Sequence, residues 1–350
     1  MSNVIRLTVP ARDPEAALLD CFARHRRGDG DVFWLKENAE LLNILECTGA
    51  RPDAAALDPL AEFYDSAERR LAFFPQYYRF ILSICLDLED LGLPGDKAEG
   101  LCRWAARQDL AAAELSDLQR AEARRLMARR GIDPLPQDGG LEARLRRFIA
   151  RSETFALPNK KAAYELTHIV FYLSEYGRRD PALGAAALVS LEYAGILAYL
   201  EQNADLLAEV CVALRYAGAV PSPIWEGWVQ RQLHRFTVQH GPQLSPADDY
   251  HEYFVSAWLD ALRGRRGFVK PARPGRMAFQ RPPGAAAPLR RISECLFRLE
   301  GARSRDWGAM RPHVQAALGG IGQDILVEAE ASSPRFEAFF AGFARAGAAQ

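Results

Sequence analysis

The sequence predicts an all-α protein built of αα-hairpin repeats of about 43 residues, forming an α/α toroid or a curved helical solenoid. Three observations lead to that fold class. First, a glycine closes one apolar run after another, with a proline following: Gly49 with Pro52, Gly92 with Pro94, Gly131 with Pro134, Gly177 with Pro181, Gly218 with Pro221, and Gly264 with the later Pro271. Second, successive glycines stand 43, 39, 46, 41 and 46 residues apart. Third, the runs last several turns, are rich in Ala, Leu and Glu, and lack the two-residue alternation of half-buried strands.

In chain order, residues 1–30 read as an N-terminal arm and residues 31–350 as one helical-hairpin domain. Each glycine supplies the left-handed conformation that closes a helix, and each proline opens the next helix at no cost in hydrogen bonds. The helices AELLNILECTG, FILSICLDLEDLG, YELTHIVFYLSEYG, LLAEVCVALRYAG and EYFVSAWLDALRG are apolar around much of their circumference, which predicts an inner layer surrounded by other helices. The helices that follow them, such as LEARLRRFIARS and PIWEGWVQRQLHRF, are amphipathic and arginine-bearing, which predicts an outer layer. LQRAEARRLMARRG, before Gly131, is too charged for an inner helix and reads as an outer element that keeps the phase. Phe73, Phe74, Tyr77, Tyr78 and Phe80 read as core, with an apolar pocket wall as the alternative.

The pattern breaks at 265–288, which holds five prolines, three glycines, six cations and no acid. This composition predicts a loop. It is either a solubilising surface connection or a lid in which Arg265, Arg266, Lys270, Arg273, Arg276 and Arg281 meet a phosphate or an acidic peptide.

Composition narrows the function. Hydrophobic residues make up 49% of the 350, which excludes a disordered chain. The formal charge of -1 gives no overall field to draw the molecule onto nucleic acid or an anionic membrane. The N-terminus lacks the pattern of a secretory leader and no run of 18 apolar residues occurs, so a cytoplasmic protein is expected; five lysines and abundant alanine suggest a GC-rich bacterial genome. Six cysteines without a C-x-x-C pair read as reduced core residues. The glycine motifs of nucleotide-binding loops and of the hydrolase nucleophile elbow are missing.

Counting back from the glycines places polar residues in register on otherwise apolar helices. Thirteen before lie Tyr164, Asp205 and His251; twelve before lie Glu37, Glu165 and Glu252; nine before lie Glu40, His168 and Glu209. Parallel inner helices would gather these groups at one end of a central cavity. Glu165 and His168 form E-x-x-H, which projects two ligands from one helix face. A second such pair is missing, so a mononuclear divalent site, with a metal such as zinc, is the expectation: Glu165, His168, Glu209 and His251 as ligands, with Tyr164, Asp205 and Glu252 around them. Without metal, His168 would act as a general base oriented by Glu165. The alternative is that these are hydrogen-bonded buried polar groups. Asp248, Asp249 and Glu252 spell D-D-x-x-E, similar to the acidic motif of helical terpene synthases, but no second motif follows; with Ser245 and Pro246 upstream, the acids read as a helix start.

The segments DVFWLKENAELLNILECTG, AYELTHIVFYLSEYG and DDYHEYFVSAWL resemble an uncharacterised bacterial family, a domain of unknown function covering most of the chain. At fold level the array is similar to the α/α toroids of lanthionine synthetase cyclases and terpenoid cyclases. It lacks the adjacent Cys-His of the former's zinc site and the D-x-D-D acid of the latter. The sequence therefore predicts a helical-repeat protein with a central polar pocket, a metal-dependent enzyme acting on a small molecule or peptide; the alternative is a non-catalytic scaffold that binds a protein partner on its concave face.

Overall fold

A computed structural model describes residues 14–284 and 286–346. The helices are α1 (Pro14–Asp20), α2 (Val32–Cys47), α3 (Ala54–Leu57), α4 (Ala61–Phe73), α5 (Tyr78–Leu91), α6 (Lys97–Arg107), α7 (Asp117–Ala128), α8 (Leu141–Ile149) and α9 (Ser152–Phe155). They continue with α10 (Lys160–Leu173), α11 (Ala185–Leu200), α12 (Ala204–Tyr216), α13 (Pro223–Arg235), α14 (Tyr250–Leu262), α15 (Leu289–Arg298), α16 (Trp307–Ala317), α17 (Gly320–Ser332) and α18 (Phe336–Phe343). The strands β1 (Thr237–His240) and β2 (Met277–Gln280) pair antiparallel, Val238 opposite Phe279. The chain is thus predominantly helical, as its sequence predicts, with one short ribbon that it does not predict; β2 lies inside the segment expected to be loop.

Five of the glycine stops close the helix before them, whereas α10 closes at Glu175, φ 49°, two residues before Gly177. Gly49, Gly92, Gly131, Gly177, Gly218 and Gly264 all have φ between 71° and 107°. At Gly218 the Ala219 amide reaches back to Leu214 O while the Gly218 amide bonds Arg215 O, and the same pair of bonds recurs at Gly49, Gly92, Gly131 and Gly264. These bonds satisfy the last carbonyls of α2, α5, α7, α12 and α14.

Two compact units emerge. The first comprises the chain up to Ala98 together with Thr237–Tyr250 and Phe268–Gln280; the second comprises Glu99–Phe236, His251–Gly267 and the chain from Arg281. Within the first, α2 packs on α5 and α5 on α4. Residues 14–25, within the expected arm, are helical, with Ala17, Leu18, Leu19, Cys21 and Phe22 in the core; residues 1–13 lie outside the described residues. The fully buried Arg26 anchors this unit. All five of its N–H groups donate: Nε to Glu37 at 3.0 Å, Nη1 to Asp248 at 2.8 Å and Met277 O at 2.9 Å, Nη2 to Asp248 at 2.9 Å and Pro246 O at 3.0 Å. Its guanidinium also lies 4.6 Å from the Phe22 ring. Phe73 and Phe74, expected in the core, are exposed instead, because α4 ends at Phe73 and the chain leaves the packed face there; Tyr78 is buried as expected.

In the second unit α11 is the departure from the two-layer expectation. It follows a glycine stop, yet Leu191 and Tyr193–Leu200 are all buried, and it packs against α9, α12 and α17. Gly195 lets the Trp225 ring approach to where a Cβ would stand, 2.6 Å away. Cys21, Cys85, Cys102 and Cys211 are buried, Cys47 and Cys295 half-buried, and none of the six is in a disulfide. No helix among the described residues is long and apolar enough to cross a membrane.

Candidate metal centre

The polar register of the second unit is built by three helices that run the same way. Asn159 and Asn203 cap α10 and α12 through side chains that accept the Ala162 and Leu206 amides, each at 3.1 Å, fixing where each helix begins. The α10 sequence then puts Tyr164, Thr167 and His168 on one face, and α12 puts Asp205 and Glu209 one turn apart. The Tyr164 hydroxyl donates to Asp205 Oδ2 at 2.5 Å, and His251 Nδ1 on α14 lies 2.6 Å from Asp205 Oδ1. Residues at equal distances from their stop glycines therefore meet across α10, α12 and α14.

Deeper in the cluster, Thr167 Oγ donates to Glu209 Oε2 at 2.6 Å. His168 Nδ1 lies 2.8 Å from the Tyr164 carbonyl and 3.6 Å from Glu209 Oε2. A carbonyl only accepts, so Nδ1 carries the proton and Nε2 the lone pair. Glu209 is 2% exposed, whereas the His168 and His251 side chains are about one-third exposed, so the cluster has a buried acid beneath two accessible imidazoles. Burial raises the Glu209 carboxyl above the usual carboxylate range, against the pull of His168. Burial, with the adjacent Asp205 charge, likewise raises the Tyr164 hydroxyl.

Ligand atoms of Asp205, Glu209 and His251 lie within 4.8 Å of one another. Zinc bonds to N and O of about 2.0–2.2 Å place neighbouring tetrahedral ligands about 3.4 Å apart, so less than 1.5 Å or so of contraction would close the set around an ion. Of the residues singled out in the sequence, the structure brings together Tyr164, His168, Asp205, Glu209 and His251. Glu165 stands apart from them, 3.9 Å from Lys161, and the group orienting His168 is the Tyr164 carbonyl. Glu252 faces Arg281 at 3.6 Å. Glu37 and Glu40 belong to the first unit, where Glu37 holds Arg26 and Arg27 and Glu40 accepts from the Tyr250 hydroxyl at 2.7 Å. Asp248 of the D-D-x-x-E segment is spent on Arg26 and accepts the Tyr250 amide at the start of α14. Thr167, which sequence reasoning did not find, sits one residue before His168 with no signal of its own.

The six cations of 265–288 are divided between the two units. Arg265 lies 3.7 Å from Asp260 and Arg281 pairs with Glu252, both in the second unit. Arg276, in the first, donates to the carbonyls of Arg26 at 2.5 Å and Pro242 at 3.3 Å. Lys270 and Arg273 lie in the first unit as well, and Arg266 in the second.

Comparison with known families identifies the chain. Residues 1–346 match the family model described as Domain of unknown function (DUF6902), and the chain belongs to that family. No curated protein matches it. No solved structure matches it.

Proposed function

Starting from membership of this family of unknown function, we propose that the second unit carries a mononuclear divalent-metal site and that the protein is a metal-dependent enzyme acting on a small molecule or peptide. The observation that carries the reading is the approach of Asp205, Glu209 and His251 ligand atoms to within 4.8 Å on two helices. Two carboxylates and one imidazole suit zinc, manganese or iron. Asp205 and Glu209 bring two acids into one cluster, and a buried carboxylate such as Glu209 gains most from a cation that replaces its lost water.

In this reading Asp205, Glu209 and His251 would hold an ion that would supply Lewis-acid chemistry toward a carbonyl or water. His168 stands beside Glu209 with its Nε2 lone pair directed by the Nδ1 bond to Tyr164, so it serves as the base. Tyr164 and Thr167 hold the two carboxylates in place through one oxygen each. Contacts at matched distances from the glycines also support the hairpin-repeat reading, with α10, α12 and α14 as equivalent inner helices.

Elemental analysis and calorimetric titration of untagged full-length protein with zinc and manganese test the site. One equivalent of metal is expected, with affinity lost at least tenfold in Glu209→Gln and in His251→Ala and retained in Glu165→Gln. Metal-free protein with no saturable binding, or equal affinity in all three variants, would sink it.

A further inference from the structure

Arg125 lies six residues before Gly131, the offset at which α10 places Phe171 and α14 places Trp258. A position that is aromatic core in those helices holds a guanidinium here, 8% exposed. Its Nε and Nη1 are buried without a hydrogen-bond partner, and among the described residues no carboxylate pairs with it. What it touches instead are aromatic faces, Tyr176 at 4.5 Å and Tyr172 at 6.0 Å. The contrast with Arg26, whose five N–H groups all donate, is within one chain. A guanidinium does not shed its proton in a protein, and ring faces offset only part of its lost hydration. The buried charge of Arg125 lacks a counter-ion.

A cavity of about 400 Å³ adjoins it. The other charged groups on its wall are already matched: Arg124 with Asp133 at 2.6 Å, Arg179 with Glu175 at 3.4 Å, and Glu142 with Arg146 at 2.8 Å. Gly139 and Leu141 place the start of α8 on the same wall, and its N-cap, Gly140, makes no side-chain capping bond. The start of α8, whose Gly140 amide already donates to Asp138, and an uncompensated guanidinium thus share one cavity, and of the two the guanidinium is the group that calls for an anion. Ala121, Leu145 and Leu173 supply apolar wall.

We propose that this cavity binds a small organic carboxylate, its charge on Arg125 and its apolar body against these side chains. A monoanion balances one guanidinium. A phosphate dianion would overshoot it beside Glu142 and Glu175. The site stands independently of the acid and histidine cluster.

Calorimetry on the full-length protein in a buffer free of acetate and phosphate tests it with three probes: sodium hexanoate, 1-hexanol and sodium phosphate. Hexanoate is expected to bind with Kd below about 1 mM, hexanol at least about tenfold more weakly, and phosphate more weakly than hexanoate. Arg125→Met is expected to weaken hexanoate at least about thirtyfold while leaving the unliganded Tm equal to or above that of the wild type, since it removes an uncompensated charge. The proposal is overturned by no saturable hexanoate binding, by hexanol or phosphate binding as tightly as hexanoate, or by Arg125→Met keeping its hexanoate affinity. The wild-type titrations decide the matter even if the variant does not fold.

Discussion

Tyr164 and Asp205, 41 residues apart in sequence, share a hydrogen bond of 2.5 Å in which the phenol holds one carboxylate oxygen and leaves the other to His251 at 2.6 Å. The phenol therefore sets the direction of Asp205. Tyr164→Phe should reduce zinc affinity by about tenfold and lower stability by about 1 kcal/mol. Titration calorimetry and urea denaturation measure the two effects separately; unchanged affinity would show that Asp205 needs no such guide.

Arg26 offers a stability test in the first unit. Arg26→Ala leaves Asp248 without its cation and removes five donated hydrogen bonds, so a loss of about 3–5 kcal/mol is expected in urea unfolding. A loss below about 1 kcal/mol would mean that water replaces the guanidinium, contrary to its full burial.

Acid pH should expose a second arginine. Arg144 forks onto Asp117, with two bonds of 2.8 Å, and onto Asp138, at 2.9 and 2.7 Å, and these bonds hold both carboxyls below the usual range. A depressed folded-state value gives stability that is present above the ordinary aspartate range and lost as pH falls through the folded value. Arg144→Gln should therefore lower Tm at pH 7, and the gap to the wild type should close as pH drops below about 4. A gap that persists at low pH would place the role of Arg144 in packing.

Backbone conformation makes a paired prediction. Gly218 has φ of 71° with nothing near a would-be Cβ, so Gly218→Ala isolates the left-handed penalty and should cost about 1–2 kcal/mol. Gly100, exposed inside α6 with equal room, should gain about 0.5–1 kcal/mol as alanine. Thermal unfolding of both variants should move Tm in opposite directions.

These residues also show why some of the structure was legible in the sequence. A positive φ at a helix end is met most cheaply by glycine, so five of the stop glycines announced the helix ends they make, whereas Asp109, Glu175 and Gln202 close α6, α10 and α11 at positive φ with no glycine to mark them. Equal offsets from the stop glycines then placed Tyr164, Asp205 and His251 together. Other features depend on partners far away along the chain. Met277–Gln280 becomes a strand only because Thr237–His240 lies beside it, and no local pattern in a Pro/Gly-rich stretch announces that. Phe73 and Phe74 have the composition of core but sit where a helix leaves it. The charge of α7 concealed that its Arg125 is buried, since composition averages over faces. Glu165 matched a ligand spacing, yet i, i+3 spacing alone does not decide which of two neighbouring faces meets α12.

The matched offsets carry a genetic consequence. Tyr164 and Asp205 are 41 residues apart and Asp205 and His251 are 46, yet both pairs meet, so alignment is reckoned backward from each glycine and not along the chain. Codons added or lost in the connections between Gly177 and α12, or between Gly218 and α14, leave that alignment intact. A single-codon deletion between His251 and Gly264 rotates the imidazole by about 100° around its helix and dismantles the cluster. Length variation among relatives should accordingly collect in the connections and spare the thirteen residues that precede each glycine.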